Sequence, residues 1–140
     1  MRRGPLIFLG IALAVIAAGC ASTQDRLLDT NVDQLKIRSI ETRTFDTSDR
    51  IAVLRATIST LQDLGFVVDR ADSDLGVVTA TKLAGYTERA TVTVRPKGKK
   101  QVAVRVNVEY NETAVQDPKV YQEFFTALSK SLFLSAHKID

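Results

Sequence analysis

Few residues of this chain have side chains able to cut, transfer or ligate. Cys20 is its one cysteine and His137 its one histidine, at opposite ends of the sequence. That inventory excludes a disulfide framework, a zinc finger and any cluster of His and Cys metal ligands. His137 is three residues from the C-terminus, a poor place for the rigid partners that nucleophilic catalysis needs; it reads as a helix-end residue at the negative pole of the dipole. Asp69, Asp72 and Asp74 are the best carboxylate cluster. General acid–base work needs two carboxyls about 5–9 Å apart in a cleft, one of them with a raised pKa. These three fall in an expected hairpin turn, where Asp serves backbone hydrogen bonds, and the loop lacks the spacing and terminal Glu of an EF-hand. Asn111-Glu112-Thr113 matches the glycosylation sequon, a short pattern that recurs by chance. There is no Gly-rich phosphate loop, no G-x-S-x-G elbow and no H-E-x-x-H. No catalytic residue, metal site, small-molecule substrate or enzymatic activity is expected.

The densest positive patch is Arg95, Lys97, Lys99 and Lys100, around the Pro96–Gly98 turn. Two readings fit it. It could contact anionic phospholipid or lipopolysaccharide head groups, each nearby charge adding about 1 kcal/mol. It could instead be a solvated hairpin tip whose lysines discourage edge-to-edge pairing.

The N-terminus is read as an address. Arg2 and Arg3 precede an apolar run from Leu6 to Gly19 that carries no charge. The run is too short to cross about 30 Å of hydrocarbon, which takes about 20 helical residues, and has the form of a secretory signal. The small residues Ala17, Ala18 and Gly19 stop at Cys20. This arrangement resembles the lipobox of bacterial lipoproteins, with Ala17 where that family more often has Leu. The resemblance implies diacylglycerol on the Cys20 thiol, cleavage before it and an acyl chain on the new amino terminus, with no other cofactor. Ala21 after the cysteine implies sorting to the outer membrane, facing the periplasm. Two other readings use the same residues, an uncleaved anchor with a free Cys20 thiol and ordinary cleavage at an Ala-x-Ala-like site. Two acyl chains make anchoring stable where one does not.

Composition sets the rest in an ordinary folded class, with 45% hydrophobic and 25% charged residues in 140. Loss of Arg2 and Arg3 takes 19 basic residues to 17, against 16 acidic ones. A near-neutral mature chain is no nucleic-acid binder. The expected organisation is a signal peptide over 1–19, a lipidated Cys20 with a tether over 20–34, and one periplasmic domain over 35–140. Extended, the tether reaches about 50 Å at roughly 3.3 Å per residue.

Within the domain, Leu35–Phe45 alternates loosely and suggests a strand. Asp46 or Thr47 can cap a following helix whose apolar stripe is Ile51, Leu54, Ile58 and Leu61, widened by Val53, Thr57 and Leu64. Gly65 supplies its left-handed end. Phe66–Val68, Leu75–Leu83, Ala90–Arg95 and Val102–Tyr110 read as strands, the last with a clear period of two. Asp117-Pro118 starts a second helix, with Tyr121, Phe124, Phe125, Leu128 and Leu132 on one face. The fold class expected is α+β, an antiparallel β-meander with two helices packed on one face, in the order β-α-β-β-β-β-α.

Thr60–Val68, a helix ending in leucine–glycine–aromatic, leads into the Gly76–Lys82 strand. Together they resemble the helix-grip domains of envelope lipoproteins, among them the C lipoprotein of the β-barrel assembly machinery. Asp117–Phe125 with Leu128-Ser129-Lys130 is similar to a group of proteobacterial outer-membrane lipoproteins of this size. The resemblance implies a non-enzymatic, protein-binding or accessory subunit of an envelope complex, attached to the membrane by its lipid anchor. A lipid- or lipopolysaccharide-binding module using the basic hairpin is the alternative.

Overall fold

The computed structural model describes residues 33–137. The chain divides into two compact units, Met1–Lys36 and Ile37–Asp140, and every strand among the described residues lies in the second. Cys20 and nearly all of the expected tether lie outside the described residues. Helix α1 covers 33–41 and is followed by β1 (Thr42–Phe45), α2 (Arg50–Asp63), β2 (Val67–Asp72), β3 (Val77–Leu83) and β4 (Thr87–Lys97). Then come β5 (Gln101–Tyr110), the short β6 (Thr113–Ala114) and α3 (Pro118–Ala136). Among the described residues no helix is long and apolar enough to cross a membrane.

The expected α+β class and element order are found, with α1 and β6 in addition. All pairings are antiparallel, in the sheet order β1-β5-β4-β3-β2, with β6 beside β5. The meander runs through β2, β3, β4 and β5, and β1 closes its far side. Alternation along the strands sorts the sheet into two faces. Val78, Ala80, Ala90, Val92, Val94 and the alternate valines Val102, Val104, Val106 and Val108 bury one face, where they meet Val53, Leu54 and Leu61 of α2 and Tyr121, Phe125 and Leu128 of α3. Burying each of these valines, leucines and Phe125 contributes about 1.5–3 kcal/mol, and each alanine less. Thr79, Thr91, Thr93, Arg105 and Asn107 stand on the other face, only partly covered.

Three readings need correction. Residues 35–41 are helical, and only Thr42–Phe45 is strand. Ile37, Ile40 and Glu41, spaced three and four apart, are the covered residues of α1, a helical stripe that the looser period of two concealed. The α2 N-cap is Asp49, whose side chain accepts from Ala52 N at 2.9 Å; Thr47 instead accepts from Asp49 N. The buried stripe of α2 is Val53, Leu54, Ala56, Thr57, Thr60 and Leu61, which leaves Ile51 41% exposed.

The helix ends follow local chemistry. Gly65, at φ +85°, ends α2. Phe66 N donates to Leu61 O and Gly65 N to Gln62 O, the paired bonds of a Schellman motif. Asp117 caps α3 through Lys119 N at 3.0 Å, with Pro118 at its first position.

Candidate functional site

The basic residues of the β4–β5 hairpin are gathered as expected. Arg95, Lys97, Lys99 and Lys100 are all exposed, and the last three border an open hollow of about 690 Å³ with Asp46 and Gln101. Lys97 Nζ donates to Thr44 Oγ1 at 3.1 Å, tying the hairpin to β1. Arg95 lies off that hollow on β4, across from Ala103 of β5.

Of the three aspartates, Asp72 and Asp74 belong to the β2–β3 turn, whereas Asp69, expected there too, lies within strand β2. Asp72 Oδ1 accepts from Asp74 N at 3.1 Å and Leu75 N at 2.9 Å, while its Oδ2 pairs with Arg70 at 3.1 Å. The Leu75 N–H, followed by the Arg70 guanidinium, lowers the Asp72 carboxyl below its ordinary 3.8. Asp69 accepts from Thr81 Oγ1 across the sheet. Among the described residues no three His, Cys, Asp or Glu side chains gather closely enough to hold a metal. His137 sits at the end of α3, its Nδ1 2.8 Å from Phe133 O and its ring stacked on Phe133 at 4.1 Å. Asn111 and Glu112, both at positive φ, form the two-residue turn between β5 and β6.

Two further features were not singled out by sequence. The first is the free edge of β2. Val67 is 70% exposed there, and Asp69 is an extra residue that bulges the strand between Val68 and Arg70. Beside this edge runs a groove of about 360 Å³, bounded by Ile51, Leu54 and Ile58 of α2, with Ala71 and Val78 on its sheet side.

The second is a small cleft where the end of α2 and the start of α3 meet the sheet. Leu61, Phe66, Val106, Val108 and Phe124 supply apolar wall, and Glu88, Lys82 and Glu123 supply charge. Glu88 stands on the buried phase of β4, two residues before Ala90, and is 7% exposed. Burial pushes its carboxyl above the ordinary range; Lys82 opposes that shift and Glu123 adds to it. Its period-two alignment with Ala90, Val92 and Val94 was the available signal, hidden by starting the strand at Ala90 when it begins at Thr87.

Comparison with protein-family models and with curated proteins finds no match to this chain.

Proposed function

We propose that this chain is a lipid-anchored periplasmic protein of the bacterial outer membrane, a non-enzymatic protein-binding or accessory subunit of an envelope complex. The observation that carries the binding reading is the β2 edge with its adjoining groove. The outer edge of β2, with no strand on it among the described residues, offers backbone donors and acceptors, and the neighbouring groove, apolar toward α2 and polar at Arg55, Asp72 and Ser73, can receive alternate side chains of an added strand. The bulge and the Arg70–Asp72 pair restrict that edge against indiscriminate pairing. Attachment through Cys20 would raise the effective concentration of the domain at the membrane. The alternative, head-group binding by the hairpin, draws support from Lys99 and Lys100, exposed at its tip.

Photo-cross-linking in cells separates the two. A cross-linking residue replacing Arg70 in the full-length chain is expected to trap one discrete protein. One replacing Lys99 is expected to trap none. Lipid adducts at position 99 with nothing at position 70 would overturn the first reading in favour of the alternative.

A further inference from the structure

Glu88 is a largely buried carboxylate with no ion pair among the described residues, its oxygens open only to the cleft. It is 7% exposed, it borders the cleft between α2, α3 and the sheet, and among the described residues no cation lies within ion-pair distance of it. Lys82 is its direct neighbour across the β3–β4 ladder. The Lys82 ammonium is turned elsewhere, donating to Leu64 O at 3.0 Å and standing 5.6 Å from the Phe66 ring. It closes the end of α2, a role that suits a cation at a helix C-terminus. From α3 the cleft receives a second carboxylate, Glu123. The lining from α2 and β5 is apolar, and Tyr110 of β5 stands directly opposite Glu88 beside the cleft, its phenol held above the ordinary range by burial and by the Glu88 charge. The charge facing the cleft is therefore two carboxylates and one cation already bonded to a carbonyl. A buried carboxylate left in this state is costly, and a positive partner relieves it.

The space is small. Its volume is about 70 Å³, room for two or three water molecules at roughly 30 Å³ each, far below the 300 Å³ or so of an ordinary cofactor site. By the same measure an ammonium with its first one or two methylenes fits inside, and the rest of a short chain lies toward the rim. The walls suit methylenes, and the carboxylates suit a compact donor with several N–H bonds. A guanidinium is a larger planar fork, and a quaternary ammonium offers no N–H.

We propose that this cleft binds a primary alkylammonium group, its charge on the Glu88 carboxylate and its chain along the Leu61, Phe66 and Val108 wall. Glu123, exposed at the rim, assists by charge. Two sources share this chemistry, a free small amine and the side chain of a lysine in a partner polypeptide. The proposal is independent of the β2 edge.

The test is a titration of the full-length protein in detergent micelles, reading the ¹³C signal of the Glu88 carboxyl. The probes are n-butylammonium, a lysine blocked as its N-acetyl and N-methylamide, and n-butanol as the uncharged control. Butylammonium is expected to shift the signal saturably at millimolar concentration and to lower the Glu88 titration midpoint by about one pH unit, as an opposite charge within about 4–6 Å does. Butanol is expected to do neither. Glu123→Gln should weaken binding several-fold. Glu88→Gln keeps the shape and removes the charge; it should stay folded by circular dichroism and lose binding, followed on the Phe124 ring signals. Saturation by blocked lysine as well as butylammonium assigns the site to a partner side chain, and saturation by butylammonium alone assigns it to a free amine. No saturable shift with either amine, an equal shift with butanol, or unchanged binding in Glu88→Gln would overturn the proposal.

Discussion

Gly76 and Val94 meet backbone to backbone. Val94 N donates to Gly76 O at 2.7 Å, and a β-carbon on Gly76 would overlap the Val94 carbonyl and press on the Arg50 guanidinium. Gly76 also has φ +67°, where a side chain is strained whatever the space. Gly76→Ala is therefore expected to destabilise the domain by about 3 kcal/mol, combining left-handed strain with overpacking. Gly98→Ala, at φ +65° with open space around it, should cost only about 1 kcal/mol. Urea denaturation of both variants checks the contrast, and equal losses would refute the steric argument.

Arg105 holds Glu41. Its Nε and one terminal nitrogen both donate to Glu41 Oε2, at 3.1 and 2.8 Å, and Asn107 approaches Oε1 at 3.4 Å. Glu41 is 2% exposed and Arg105 is half exposed, so the loss comes chiefly from stranding the carboxylate. Arg105→Ala should cost about 2 kcal/mol, reduced from the fully buried case by solvent screening. Adding Glu41→Gln should recover most of it. A loss below about 0.5 kcal/mol would show that water satisfies Glu41.

Asp72 has a depressed pKa in the folded protein, so its stabilising contribution is present above the unfolded value. That contribution is lost as pH falls through the lower, folded midpoint. A carboxyl-detected titration should place that midpoint below 3.8. Arg70→Ala should raise it part of the way, because the Leu75 N–H remains the larger cause. Full recovery to 3.8 in that variant would assign the shift to the ion pair instead.

Glu112 occupies φ +67° in the turn after Asn111 at φ +47°. A two-residue turn with both central residues at positive φ favours Asn-Gly. Glu112→Gly should stabilise by about 1 kcal/mol through relief of left-handed strain, read as a rise in thermal midpoint. An unchanged or lower midpoint contradicts it.

Thr60 is fully covered by the core, and its hydroxyl has no hydrogen-bond partner. Thr57, one turn earlier, donates to Val53 O at 2.8 Å. Thr60→Val should thus stabilise by about 1 kcal/mol, and Thr57→Val should not. Paired denaturation curves decide, and equal effects would rule out the unpaired hydroxyl as the cause.

Legibility followed the range of the interactions. Asp117-Pro118, Gly65 and the Val102–Tyr110 alternation were readable because a cap, a left-handed stop and a pleat are settled within a few residues. The turn role of Asp72 was readable for the same reason. Residues 35–41 were misread because a few apolar positions fit a period of two and a helical period almost equally well.

The sequence by itself determined the α+β class, the elements from α2 to α3 other than β6, the β2–β3 turn at Asp72 and the basic hairpin, all consequences of local propensity and pattern. Tertiary structure decided which chains of residues meet. Pairing β1 with β5 brings Glu41 to Arg105 across 64 positions of sequence. Pairing β3 with β4 and laying α2 and α3 over their apolar face encloses Glu88 while Lys82 turns to the end of α2. A carboxylate two residues before an apolar run reads as surface in one dimension. It becomes a largely buried carboxylate only when two helices from distant parts of the chain cover its side of the sheet.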